Sequence, residues 1–122
     1  MLNKVHIAEA YYAAIQEGRK NDIPSFYHPN VSFMTPLGAS EGSKAVAQAA
    51  SGFSDALKEM VFRAKVGQGD KVMLACDVTF KGSHEPLKTA VLLDFEGDKI
   101  RRIECFYDGS QVAEAERKQI FD

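Results

Sequence analysis

Residues 60–107 read MVFRAKVGQGDKVMLACDVTFKGSHEPLKTAVLLDFEGDKIRRIECFY, and this stretch decides the fold. Met60, Phe62, Ala64 and Val66 alternate with Val61, Arg63 and Lys65. Val72, Leu74, Cys76, Val78 and Phe80 alternate with Met73, Ala75, Asp77 and Thr79. A period of two is the mark of a half-buried strand. Leu87 to Phe95 and Ile100 to Tyr107 supply two more strands, and Gln68-Gly69-Asp70, Gly82 to Pro86 and Glu96-Gly97-Asp98 carry turn chemistry between them. Parallel neighbours need crossovers of about a dozen residues or more. These connections are shorter, so the four strands form an antiparallel meander.

The first half reads as helices with one strand among them. Ile7, Ala10, Tyr11, Ala14 and Ile15 recur on one face of a 3.6-residue period, with Asn3 as N-cap and Gly18 as the stop. A second, short helix starts at Asp22, buries Ile23, Phe26 and Tyr27, and ends at His28-Pro29-Asn30, because proline disfavours helix at the residue before it. Val31 to Thr35 alternates as a strand, and Pro36-Leu37-Gly38 turns the chain. A third helix begins near Gly42 or Ser43, with Val46, Ala49, Ala50 and Phe53 as its apolar face and Leu57 as an extension past Gly52. Ser110 marks a C-terminal helix with a poor apolar stripe. The expected fold is α+β: a cone-shaped, curved antiparallel sheet packed on three N-terminal helices, as one domain over residues 1–122. A cone of this kind opens at one end, and small-molecule sites favour such concavities.

Bulk properties narrow the function. A hydrophobic fraction of 45% and a charged fraction of 26% are those of an ordinary globular chain, and a net charge of −2 gives no basic footprint for nucleic acid. Apolar runs such as Ala90 to Leu93 are far short of a membrane span of roughly 20 residues. The N-terminus lacks the charged-then-apolar pattern of a secretion signal, so the expected location is the cytoplasm. Cys76 and Cys105 fall within strands, where a free thiol is a small buried hydrophobe. His6, His28 and His84 share no metal-ligand spacing, so no metal is expected, and with no nucleotide or phosphate signature no cofactor is either.

Several local motifs carry a family resemblance over nearly the whole chain. Tyr11-Tyr12-Ala13-Ala14-Ile15-Gln16-Glu17-Gly18 looks like a first helix ending in glycine, and Phe26 to Phe33 like a second helix running into the first strand. Thr35-Pro36-Leu37-Gly38 sits where ketosteroid isomerases carry an Asp-Pro-Val-Gly turn, and Cys105-Phe106-Tyr107-Asp108 looks like the aromatic-aromatic-Asp ending of a last strand. In order and spacing these resemble the SnoaL-like and ketosteroid isomerase branch of the nuclear transport factor 2-like superfamily, whose fold is cystatin-like. The superfamily hosts isomerases, lyases, cyclases and non-catalytic binders.

The resemblance implies roles for individual residues. Tyr11 matches the isomerase tyrosine that donates a hydrogen bond to the substrate oxygen. Thr35 stands in the place of the general base, and a threonine hydroxyl cannot shuttle a carbon-bound proton near neutral pH. Val91 stands near the place of a second oxyanion donor and donates nothing; Ala50 falls where some members carry a supporting tyrosine. Steroid isomerisation is therefore not expected, and no catalytic residue can be assigned. The expected function is binding of a small, mostly apolar molecule in an internal pocket formed by Tyr11, Thr35, Tyr107, Phe33, Phe53, Phe62, Val78, Val91 and Cys105. Thr35 and Tyr107 are the groups expected to converge on the Tyr11 hydroxyl. The alternatives are an isomerase, lyase or cyclase acting on a carbonyl compound with Tyr11 as donor, and a non-catalytic protein-interaction module. Asp77, Asp94 and Glu104 have outward parity, and Asp108 suits a turn or helix start. Val72 to Cys76 and Ala90 to Leu93 are apolar on both parities, and strands apolar on both faces are covered on both faces. A homodimer through the outer sheet face, at Met73, Ala75, Ala90, Leu92 and Phe106, follows as the expected partner.

Overall fold

The computed structural model describes residues 3–83 and 85–112. Helix α1 (Lys4–Gln16) is followed by a 3-10 turn (Ile23–Phe26), strands β1 (Tyr27–Thr35) and β2 (Gly38–Glu41), helix α2 (Ser43–Ala56), and strands β3 (Leu57–Gln68), β4 (Lys71–Phe80), β5 (Leu87–Glu96) and β6 (Lys99–Phe106). The six strands form one sheet in the order β2-β1-β6-β5-β4-β3.

The meander from β3 to β6 is antiparallel throughout. Its two tightest turns use Gly69 and Gly97 at φ of +58° and +61°, a backbone region that a side chain penalises. β1 departs from this pattern. It pairs with β2 as an antiparallel hairpin and with β6 in parallel, so the sheet is mixed. The parallel pair is possible because α2 and the whole meander form the crossover between its two strands.

Four local expectations are corrected. The second helix is a single 3-10 turn, and Tyr27, His28, Pro29 and Asn30 belong to β1. Pro29 is tolerated because the β1–β6 register is irregular between Tyr27 and Ser32, and proline is confined to such irregularities within sheets. The segment after the Pro36-Leu37 turn pairs back as β2 before α2 begins, and Leu57 opens β3 rather than extending the helix. In β3 the register shifts between Phe62 and Ala64, so Met60 and Phe62 keep the inner parity while Ala64 and Val66 pair with the outward Ala75 and Met73. The expected C-terminal helix lies mostly outside the described residues; within them, Gly109–Gln111 is a 3-10 turn whose cap is Asp108, not Ser110.

Both helices lie on the inner face, α1 against β3 and β4 and α2 against β1 and β2. The Asn3 side chain caps α1 by accepting from the Val5 amide at 2.8 Å, and the Ser54 hydroxyl donates to the Ile15 carbonyl at 2.6 Å, tying α2 to the end of α1. Inward residues stack in cross-strand rows. Val72, Leu93 and Ile103 form one fully buried row; Leu74, Val91 and Cys105 form the next; Phe62, Cys76 and Thr89, then Met60, Val78 and Leu87, follow. These rows and the helices make the core, and the cavity opens along the later ones.

Candidate functional site: an apolar cavity beneath the helices

The cavity measures about 70 Å³, against the ~10–15 Å³ that holds one water. α1 contributes Tyr11, Tyr12 and Ile15; α2 contributes Val46, Ala49, Ala50 and Phe53. The sheet contributes Phe33 and Thr35 from β1, Met60, Val78 and Phe80 from β3 and β4, and Leu87, Thr89, Val91, Ile103 and Cys105 from β5 and β6; Tyr107 and Val112 complete the wall. Eight of the nine expected site residues therefore meet around one space: Tyr11, Phe33, Thr35, Phe53, Val78, Val91, Cys105 and Tyr107. Phe62 does not line it. Its ring packs on Tyr12 at 5.7 Å between centroids, which fills the inner face beneath α1.

The polar groups are arranged differently from expectation. The Tyr11 hydroxyl bonds to the Tyr27 hydroxyl at 2.7 Å, in a buried position, rather than to Thr35 or Tyr107. Either oxygen can donate in that bond, and whichever accepts keeps its own hydrogen for a further partner. The rings of Tyr12, Phe26 and Tyr27 meet Tyr11 edge-on at 4.9, 5.6 and 5.6 Å. Thr35 is engaged by its own turn: its hydroxyl donates to the Gly38 carbonyl at 3.3 Å and accepts from the Leu37 amide at 3.1 Å. Burial raises the pKa of the Tyr107 phenol, and the nearby Thr35 hydroxyl offsets part of the rise. Thr89 donates to the carbonyl of Leu87 at 3.2 Å.

Every ionisable group in the wall is held neutral. Burial pushes the Tyr11 phenol well above its ordinary value, and the neighbouring Tyr27 and Tyr12 phenols add to the rise. Burial also pushes the Cys105 thiol up to about 12 and the Cys76 thiol up to about 11. A thiol at that value carries almost no thiolate at neutral pH and is not a nucleophile. Among the described residues, the lining contains no Lys, Arg, His, Asp or Glu. No three His, Cys, Asp or Glu side chains among them cluster to hold a metal.

The other polar residues lie elsewhere. Asp77 faces Arg63 at 3.2 Å, Asp94 pairs with Lys71, and Glu104 with Arg102 at 3.5 Å, all on the outer face. Asp108 accepts from the Ser110 amide at 3.0 Å, a turn role that lowers its pKa. His6 is exposed, His28 pairs with Glu96 at 2.5 Å, and His84 lies outside the described residues.

Tyr12 was missed by following a single helical stripe from Ile7 through Tyr11, and Tyr27 was expected to be buried on a short helix rather than beside the Tyr11 hydroxyl. Ala8, Tyr12 and Ile15 form a second stripe at i, i+4 and i+7, and it is buried together with Ile7, Tyr11 and Ala14, whereas Ala10 is exposed. Tyr27 is inward because it opens β1 instead of closing a helix.

A model of the SnoaL-like domain matches residues 8–103. The chain belongs to the SnoaL-like domain family. Among solved structures, this SnoaL-like chain is similar to a nuclear transport factor 2-like protein of unknown function from Cytophaga hutchinsonii, at 17% identity and a TM-score of 0.80, covering 90% of this chain and 94% of that one. It is also similar to a steroid delta-isomerase from Pseudomonas aeruginosa, at 14% identity and a TM-score of 0.75 over 98% and 87% of the two chains. A third is a protein with a ketosteroid isomerase-like fold from Catenulispora acidiphila, in complex with trimethylamine, at 18% identity and a TM-score of 0.72 over 87% and 88%. Likenesses at these identities concern the fold. No curated protein matches. No helix among the described residues is long and apolar enough to cross a membrane.

The phenol pair yields a direct test. Tyr11→Phe leaves the buried Tyr27 hydroxyl without its partner, and Tyr27→Phe does the reverse, so each costs about 1–3 kcal/mol in urea unfolding. The double variant costs less than the sum of the two by about 0.5–1.5 kcal/mol. Additive losses would mean that the two hydroxyls do not interact in solution.

Proposed function

We propose that this SnoaL-like domain binds a small, uncharged, mostly apolar molecule bearing one carbonyl or hydroxyl group. One observation carries the reading: an apolar cavity between helices and sheet whose described polar groups are all neutral hydroxyls and a protonated thiol. Apolar walls with a few placed polar groups are the usual make-up of a small-molecule site. A charged ligand would leave its charge buried without a counter-charge, at a cost of several kcal/mol. Tyr11, held in place by Tyr27, is the donor best prepared for a ligand oxygen, since accepting from Tyr27 strengthens its own donation. Thr35 and Tyr107 offer further polar contact. Two free thiols accord with a reducing compartment, and we place the protein in the cytoplasm.

An isomerase, lyase or cyclase acting on a carbonyl compound is the second reading. The observation that favours it is again the Tyr11–Tyr27 pair, because a fixed donor in a dry site stabilises a developing oxyanion. Such a reaction also needs a proton acceptor, and the described lining supplies no carboxylate or imidazole.

The partner we propose is a second copy of this chain on the outer sheet face. Met34, Val66, Met73 and Phe106 are exposed there, beside the half-buried Ala75, Ala90 and Leu92, with Lys71–Asp94 and Arg63–Asp77 pairs around them. An apolar patch with a charged rim is the composition of an interface.

Two measurements test these readings. A panel of small uncharged ketones and alcohols, titrated by ligand-observed NMR, should bind the wild type, and Ala50→Leu, which fills the cavity from α2, should weaken binding at least about tenfold while the protein still folds. Equal binding to both proteins would place the ligand elsewhere. Sedimentation at micromolar concentration should return a dimer, and Phe106→Glu should shift it to monomer. A wild-type monomer would refute the outer-face contact.

A further inference from the structure

Among the described residues, Tyr12 is the fully buried phenol of the cavity wall that makes no hydrogen bond. Tyr12 is only 4% exposed and lines the cavity beside Tyr11. Its ring is fixed on two sides, by Tyr11 at 4.9 Å and by Phe62 at 5.7 Å. Its hydroxyl, unlike that of Tyr11, makes no hydrogen bond to any described residue. Cys105, Cys76 and Tyr27 are its electrostatic neighbours, and Cys105 belongs to the same wall. Burial keeps this phenol protonated at any ordinary pH, so it presents an O–H donor. Buried tyrosine hydroxyls find partners, and one left unmet is costly. No described residue supplies one, and the space the hydroxyl can reach is the cavity that Tyr12 lines.

We propose that Tyr12 is a ligand-contacting residue that selects for a hydrogen-bond acceptor, a ketone, ester or ether oxygen, on an otherwise apolar molecule. This inference rests on the cavity being a ligand site and adds a second hydroxyl that reads the ligand. Phe62 acts as a positioning residue, holding the Tyr12 ring while staying out of the cavity wall. Tyr11 is tied to β1 through Tyr27, and Tyr12, with no such tie among the described residues, adds a second donor beside it.

The test uses a matched pair of probes, cyclohexanone and methylenecyclohexane, which share a shape and differ by the acceptor oxygen. Both are titrated against the wild type, Tyr12→Phe and Tyr11→Phe. Tyr12→Phe should weaken cyclohexanone about two- to twelve-fold, the net worth of a neutral hydrogen bond, and leave methylenecyclohexane unchanged. Its melting temperature should equal or exceed the wild type's, because the lost hydroxyl had no protein partner, whereas Tyr11→Phe should melt lower. If both probes bind the wild type and Tyr12→Phe leaves cyclohexanone unaffected, or weakens both probes alike, the assignment of Tyr12 is overturned while the cavity reading stands. If neither probe binds the wild type, both are overturned.

Discussion

The parallel ladder between β1 and β6 is the constraint on which the rest of the structure depends. It runs from Tyr27 opposite Ile100 to Met34 opposite Glu104, and it joins the helical first half of the chain to the meander that follows. Without it β1 and the four-residue β2, which pairs only with β1, would be a hairpin detached from the meander. With it, Phe33 lies beside Ile103, Thr35 and Tyr107 reach the same end of the cavity, and Tyr27 comes under α1 where Tyr11 can bond it. The order of events is physical as well as geometric. A parallel pair between distant segments pays loop-closure entropy before it gains contacts, so the local β3–β6 hairpins are the natural template on which β1 docks.

Much of this was legible in the sequence, and the reasons differ by element. The meander was readable because apolar residues hold every second position from Val72 to Phe80 and short turn signals separate the strands, and a buried inner face fixes register. The bulge at Arg63 was not readable, since Ala64 and Val66 fit the same alternation on either face. β2 was invisible because Gly38-Ala39-Ser40-Glu41 has no apolar face of its own and forms only by pairing with β1. The start of β1 was hidden by Pro29, which reads as a breaker and is accommodated in the irregular part of the ladder. For the site, eight of the nine expected residues border one cavity. Parity and helical period could not say which hydroxyl bonds which, because that depends on side-chain reach across elements: Tyr11 finds Tyr27, sixteen residues away.

The electrostatic character of the cavity follows from its composition. Hydroxyls and thiols can be buried at modest cost once they have partners, whereas a carboxylate or imidazole in the same place would need a counter-charge. A site of this kind recognises shape, apolar area and one acceptor or donor, and it does not recognise charge. Thr35, at the mouth of the turn that follows β1, is occupied with its own backbone contacts.

The central claim is that the space between α1, α2 and the inner sheet face is a dry, apolar receptor. Crystals of the protein pressurised with xenon address it directly, because xenon enters apolar cavities and does not displace well-bonded water. The account expects a xenon site ringed by Phe53, Val78, Val91 and Ile103. Ordered waters filling that space, with no xenon among them, would contradict it.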